Sequence, residues 1–344
     1  MRTNKMSKVN NVCILGGAGY VGNALWQHLS EQGYAVTSYD LELFGKPENQ
    51  HNMKMDIRDL TESDLAHADV VVLLAGHSSV QMCQHNYHSA WANNVTNFMK
   101  LTALLNDTQK LIYASSSSVY GHWPHKYATE QGGLGNPVNP YDHTKQTIDA
   151  ITETMYQHQI RTGAPVADPT TLQCSNIYGL RFGTVNGYSQ NLRTDVMINA
   201  MWHSAKKNKE VRVFNGDTRR SILGINDLCR AVHSIIEGKS KRGIYNLASF
   251  HSTSLEIGKT VANVLNVPCV EVETKPVSGN AKMTTKNYDF WVDTTKFEMD
   301  YDFEFCDSIA SIVQELELGI AENKLKGLNT IQKPRSKTIQ YNRT

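Results

Sequence analysis

Val12-Cys13-Ile14-Leu15-Gly16-Gly17-Ala18-Gly19-Tyr20-Val21-Gly22 is an apolar run that ends in Gly-x-x-Gly-x-x-Gly. The segment Asn23 to Gln32 continues as a helix with Gly33 as its exit. Ala35-Val36-Thr37-Ser38-Tyr39-Asp40 is a second strand that ends in an acid. That acid falls roughly 20 residues beyond the glycines, where a dinucleotide-binding βαβ unit puts its ribose-binding carboxylate. Gly16 would make the tight turn, Gly19 would let the backbone approach a pyrophosphate, and Gly22 would let helix and sheet pack closely. Tyr20 and Val21 complete the expected cofactor contacts of this loop. The phosphates would sit at a helix N-terminus, where free N–H groups and the helix dipole favour anions. Asp40 would accept both ribose hydroxyls and repel a 2′-phosphate, so NAD is expected over NADP.

Outward from this unit, strands are expected at Met53-Lys54-Met55, Val70 to Ala75 and Leu111 to Ala114. They alternate with helical stretches such as Tyr87 to Leu105, which predicts an α/β fold with a doubly wound parallel sheet of the Rossmann type. A helix through Lys145 is expected to reach about Arg161, followed by a Gly/Pro/Asp-rich loop at Thr162 to Thr170 and an apolar stretch at Ile177 to Val185. Gly243 to Ala248 reads as a strand returning to the sheet. Thr253-Ser254-Leu255-Glu256 is a capping box opening a helix to about Asn266, and Asp307 is read as the cap of a final helix through Leu318. The division expected is an NAD-binding domain at 8–185 with the returning strand at 243–249, a smaller substrate-binding lobe built from insertions at 186–330, and a polar tail at 331–344.

The chain has 344 residues, and its 34 basic and 33 acidic residues give a net charge of +1. Without a block of like charge to track a phosphate backbone, nucleic acid is set aside as a partner. Cys13, Cys83, Cys174, Cys229, Cys269 and Cys306 are scattered, with no C-x-x-C pair or zinc-like His spacing, so reduced packed thiols and no metal are expected. The polar start and glycine-interrupted first apolar segment fit neither a signal peptide nor a membrane span, and a cytoplasmic protein is the expectation.

A second pattern, Tyr141-Asp142-His143-Thr144-Lys145, sets a phenol and an amine one helical turn apart. With these motifs in order, roughly Val12 to Leu318 resembles the extended short-chain dehydrogenase/reductase family, in its nucleotide-sugar epimerase/dehydratase branch. The resemblance rests further on Asp56-Ile57, similar to the family's adenine-contacting pair, on Leu74-Ala75-Gly76, similar to its cofactor-lining segment, and on Asn94-Val95. Ala114-Ser115-Ser116-Ser117-Ser118-Val119-Tyr120-Gly121 resembles its Ser-rich strand end and puts the catalytic hydroxyl on Ser116.

The implied chemistry is oxidation at an alcohol carbon of a nucleotide-diphosphate sugar. Tyr141 as phenolate would take the hydroxyl proton while the hydride goes to NAD. A free tyrosine has a pKa of about 10, so Lys145 is expected to lower it and to reach the nicotinamide ribose. Ser116 would bind the reacting oxygen, with Ser117 beside it. Leu180-Arg181-Phe182-Gly183-Thr184 resembles the entry to the substrate lobe, with Thr184 where the family usually has Asn. Arg193, Asn199 and Arg220 match positions that hold the sugar nucleotide, an arginine fork suiting a diphosphate.

Ser117 and Ser118 occupy the places where 4,6-dehydratases carry an acid/base pair, so 4-epimerisation through a transient 4-keto sugar is the most economical reading. A reductase, a dehydratase or another keto-sugar enzyme is the alternative, and a non-catalytic NAD sensor the bland one. His77, His122, His125 and His143 are read as solvated loop residues rather than extra acids or bases. The resemblance also implies a homodimer across helices at Asn94 to Leu105 and His143 to Arg161. Phe98, Leu101, Leu104 and Leu105 suit such a face or packing on their own sheet.

Overall fold

The computed structural model describes residues 9–45, 52–162, 176–238, 242–272 and 288–325. Cys174, the loop read after Thr162 and the polar tail lie outside them.

Seven strands form one wholly parallel sheet: β1 (Asn11–Leu15), β2 (Ala35–Asp40), β3 (Asn52–Lys54), β4 (Val70–Leu73), β5 (Lys110–Ser116), β6 (Asn176–Phe182) and β7 (Gly243–Leu247). Their order, β7-β6-β5-β4-β1-β2-β3, reverses between β1 and β4, and a doubly wound sheet opens its ligand crevice at that reversal. The continuous apolar runs have a direct cause: strands covered by helices on both faces have no wet side. Val70 to Val72, for example, are fully buried.

One face of the sheet packs against α1 (Tyr20–Glu31) and the helix Ile225–Glu237, through Leu25, Leu29, Leu228, Val232 and Ile235. The other packs against Asn97–Leu104 and the long helix Pro140–Thr162, through Phe98, Leu101, Leu105, Ile148 and Met155. Phe98 and Leu105 are fully buried on their own sheet, so they are spent inside the chain and present no face to a second copy. The stretch expected as one helix from Tyr87 is interrupted by a π turn at Ala92–Thr96.

The smaller lobe has its own core around Trp202, Val213, Ile222, Ile257 and Ile312. Its strands Thr184–Asn186, Arg219–Gly224 and Phe250–Thr253 form a second sheet beyond the carboxyl edge of the first. The Thr253/Glu256 capping box opens the helix Ser254–Leu265 as expected from its spacing. Asp307 does not cap the last helix, Ile309–Leu325: its carboxylate accepts the Asp227 N–H (3.0 Å), while Ser308 takes the capping role through the Ser311 N–H (3.1 Å). Among the described residues no helix is long and apolar enough to cross a membrane, and no group of His, Cys, Asp or Glu is arranged to hold a metal ion.

A buried polar network ties the long helix to the sheet. Arg181 on β6 pairs with Asp149 (2.7 Å), the Tyr113 hydroxyl donates to the same carboxylate (2.9 Å), and Arg181 also donates to Tyr120 (2.9 Å). Both charges are at least 97% removed from solvent, being 3% and 0% exposed. Removing one partner strands the other, so Asp149→Ala is expected to lower the unfolding free energy by about 3–5 kcal/mol. Urea denaturation measures this, and a loss under about 1 kcal/mol would contradict the pairing as described.

Candidate active site

The glycine loop behaves as its spacing requires. Gly16 has φ +97, and its N–H donates to the Tyr39 carbonyl (2.8 Å). A Cβ on Gly22 would lie 2.0 Å from the Gly16 carbonyl oxygen, so no other residue lets α1 start so close to β1. Gly19 is the N-cap with no side-chain partner, and the first turn of α1 carries no acid. The free N–H groups and the positive end of the helix therefore face the crevice, a fit for a pyrophosphate. Asp40 sits at the end of β2, accepting the Ala18 N–H (3.1 Å) and the Glu42 N–H (2.7 Å). Burial raises its carboxyl above the usual carboxylate range, partly offset by those N–H donors.

Beside it, a cleft is lined by Leu15, Ile57, Leu73, Leu101 and Leu104, with Asn97 and Lys100 at its polar side. The Asn97 amide nitrogen is buried there without a protein partner. In this apolar pocket the buried Asn97 amide is left without a partner, a feature that spacing did not reveal. Asp56 caps the turn at Ile57–Asp59, and its carboxylate is gripped by the Arg58 guanidinium (2.7 Å). Leu74 and Ala75 both donate their N–H groups to the Leu15 carbonyl (2.8 and 2.7 Å), which carries the chain across the crevice to Gly76.

Ser116 ends β5, and Tyr141 and Lys145 stand on the first turns of Pro140–Thr162. Ser116 stands close enough to the Tyr141 hydroxyl to lower its pKa, which brings the proposed base and oxygen-binding group together. The Lys145 ammonium donates to the Ala114 carbonyl (2.7 Å) and lies 5.9 Å from the centre of the Tyr141 ring. The forces on the phenol run opposite to expectation. Burial, only partly offset by Ser116, pushes Tyr141 up to about 12, and burial pulls Lys145 down to about 8. Desolvation is the largest influence on the phenol here, and the lysine expected to lower it is committed to a backbone carbonyl.

Three further expectations are corrected. Asn94 accepts the His77 N–H (2.8 Å) and donates to the His77 carbonyl (3.1 Å) and to Thr144 (3.0 Å), so it braces the crevice wall against the Tyr141 helix. Asn199 is fully buried, accepting from Gly187 N (3.0 Å) and donating to the Tyr20 hydroxyl (3.1 Å), the Gly187 carbonyl (3.1 Å) and the Arg193 carbonyl (2.9 Å). Its amide is used up inside the protein and cannot also hold a substrate. The Tyr20 ring likewise points into the smaller lobe, its hydroxyl on the Gly187 carbonyl (2.8 Å), which leaves its backbone to face the crevice. Val21 packs between the two cores.

Arg193 pairs with Asp195 (2.8 Å) and acts electrostatically on Tyr141 from across the crevice. Arg220 donates to the Tyr288 carbonyl (3.1 Å), and the Tyr288 hydroxyl reaches Asp142 beside the phenol. Ser117 lies in the short turn after Ser116. Of the histidines, His77 is partly buried against the Ser89 hydroxyl (3.2 Å), and burial lowers its pKa. His143 stacks on Tyr87, with its ring nitrogen 2.9 Å from the Tyr87 hydroxyl, on the exposed side of the helix. His122 and His125 are exposed.

Residues 12–248 match the family model of the NAD dependent epimerase/dehydratase family. Protein CapI of Staphylococcus aureus is 27% identical over 247 residues, covering 66% of this chain and 69% of that protein. UDP-glucuronic acid decarboxylase 4 of Arabidopsis thaliana is 27% identical over 281 residues, 78% of this chain and 60% of that protein's length. The solved UDP-glucuronic acid 4-epimerase of Bacillus cereus, in complex with UDP-glucuronic acid and NAD, superposes with a TM-score of 0.72 at 21% identity, over 91% of this chain and 99% of the other.

Replacing Asp40 by Asn is expected to weaken NAD binding about tenfold or more, the loss of a charged acceptor to the ribose. Because burial raises this carboxyl, NAD affinity also falls as the pH drops through its raised pKa, where the acceptor is protonated. Titration calorimetry at neutral and acidic pH checks both, and an unchanged affinity in the variant would remove Asp40 from the site.

Proposed function

The chain belongs to the NAD dependent epimerase/dehydratase family, and from that premise we propose that it is a nucleotide-sugar 4-epimerase working through a transient 4-keto sugar. The observation that carries this is Ser116 beside the Tyr141 hydroxyl with Lys145 one turn on, in a site without a carboxylate at position 117 or 118. The Gly16–Gly22 loop and Asp40 would hold NAD, which would supply a reversible acceptor for the hydrogen at C4. Tyr141 accepts the C4 hydroxyl proton, and Ser116 donates a hydrogen bond to the oxygen as it becomes a carbonyl. After the ketosugar has turned over, return of the same hydride to the opposite face of C4, with the proton going from Tyr141 to the C4 oxygen, would complete the inversion.

Such a cycle needs one base and a retained cofactor. Dehydration or decarboxylation needs further proton transfers, and positions 117 and 118 offer only hydroxyls. Burial holds Tyr141 near 12, so the phenol needs nearby positive charge before it can act; the Lys145 ammonium is one source, and a bound oxidised nicotinamide would be another. Arg193 and Arg220 line the approach from the smaller lobe and suit the diphosphate. A uridine nucleotide is the first choice, by analogy with the relatives named above. A homodimer belongs to the same proposal, and gel filtration with light scattering tests it.

The test is a panel of UDP-sugars incubated with the purified protein and no added cofactor, with products separated and weighed. An isobaric product of shifted retention is expected. Loss of water or of carbon dioxide overturns the 4-epimerase, and a product that appears only with stoichiometric NADH makes the protein a reductase. Tyr141→Phe is expected to lower the rate about 10²- to 10⁴-fold, and the parent rate to rise with pH as the phenol ionises.

A further inference from the structure

Asp142 follows the base directly and is fully buried, an expensive place for a carboxylate without a task. It is held on every side. Its oxygens accept the Val138 N–H (3.1 Å), the Asn139 amide (2.9 Å) and the Tyr288 hydroxyl (2.8 and 3.0 Å), while its own N–H donates to the Asn139 side chain (3.1 Å). Asn139 also donates to the Tyr288 hydroxyl (2.5 Å). Tyr288 comes from the far side of the crevice and has φ +59, an unfavourable conformation for a bulky residue. It is fixed there by its neighbours: Arg220 on the Tyr288 carbonyl, and Arg219 paired with Asp289 (3.2 Å). A continuous path of contacts therefore runs from Arg220 through Tyr288 and Asp142 to the turn that carries Tyr141.

We propose that Asp142 is a positioning residue for the base: clamped by Asn139 and Tyr288, it docks the Arg220 side of the crevice on the Tyr141 turn and fixes a negative charge one residue from the phenol. The inference rests on Tyr141 being the base. The groups facing the phenol are Ser116 from β5, Cys83 from the helix Val80–His85, Arg193 and Tyr288 from the smaller-lobe side, and Asp142 and Lys145 from its own helix. Asp142 raises the phenol and Arg193 lowers it, so neutralising Asp142 shifts the balance toward the phenolate.

The measurement is the phenolate absorbance of the NAD-loaded protein against pH, each background being corrected with its own Tyr141→Phe variant so that only Tyr141 contributes. Asp142→Asn keeps the shape and removes the charge. It is expected to increase the ionisation constant of Tyr141 about tenfold, the effect of one nearby charge. Asp142→Ser, also neutral, is expected to shift it the same way and carries the test if the first variant does not fold. Equal Tyr141 titrations in parent and variant overturn the proposal, as does a shift toward higher pH. No nucleotide-sugar is needed, so a failed epimerase assay and a failed positioning role give different results.

Discussion

The buried pair of Arg181 and Asp149 is the constraint on which the remaining geometry depends. Asp149 lies one turn beyond Lys145, and Arg181 lies on the strand beside the one that ends in Ser116. Burial alone would pull the Arg181 pKa down, but Asp149 and Tyr120 more than offset it and the guanidinium stays charged. One interaction thus sets how far the helix sits from the sheet edge, and with it the approach of Tyr141 to Ser116. A hydrophobic contact of the same area would tolerate sliding, whereas an ion pair in a dry interior, with Arg181 also bound to Tyr120 and Asp149 to Tyr113, does not.

Polar side chains join the two lobes alongside the apolar packing of Val21 and Ala24. Tyr20, on the first turn of α1, meets Gly187 and Asn199, and Asn191 donates to the Ala18 carbonyl of the glycine loop (2.6 Å). The loop expected to hold the cofactor phosphates is therefore part of the same hydrogen-bonded unit as the lobe expected to hold the sugar nucleotide. Tyr288 and Asp142 make a comparable junction on the other side of the crevice.

What could be read from the sequence follows from the range of the forces involved. The glycine loop, the acid ending β2 and the Tyr141/Lys145 spacing are local, and backbone geometry over a few residues decides them. β1, β2, β4 and β5 showed as apolar runs because a parallel sheet leaves them no wet face. Asn94 and Asn199 were misread because a motif position says nothing about where an amide spends its hydrogen bonds. Asp307 was read as the local cap, yet its carboxylate turned to a helix start far away in sequence. Tyr288 and Asn97 carried no signal, since the first acts across 146 residues and the second through a single unsatisfied atom. The sign of the shift on Tyr141 was equally hidden: spacing shows the lysine nearby, but only the fold shows how dry the phenol is.

The central claim, one base and one retained cofactor inverting C4, is tested most directly by the fate of the hydrogen on that carbon. A UDP-sugar carrying deuterium at C4 is incubated with the protein and the product examined by mass spectrometry and NMR. The account predicts an inverted sugar with the deuterium still at C4. Deuterium lost to solvent, or moved to another carbon or to free NADH, would contradict it.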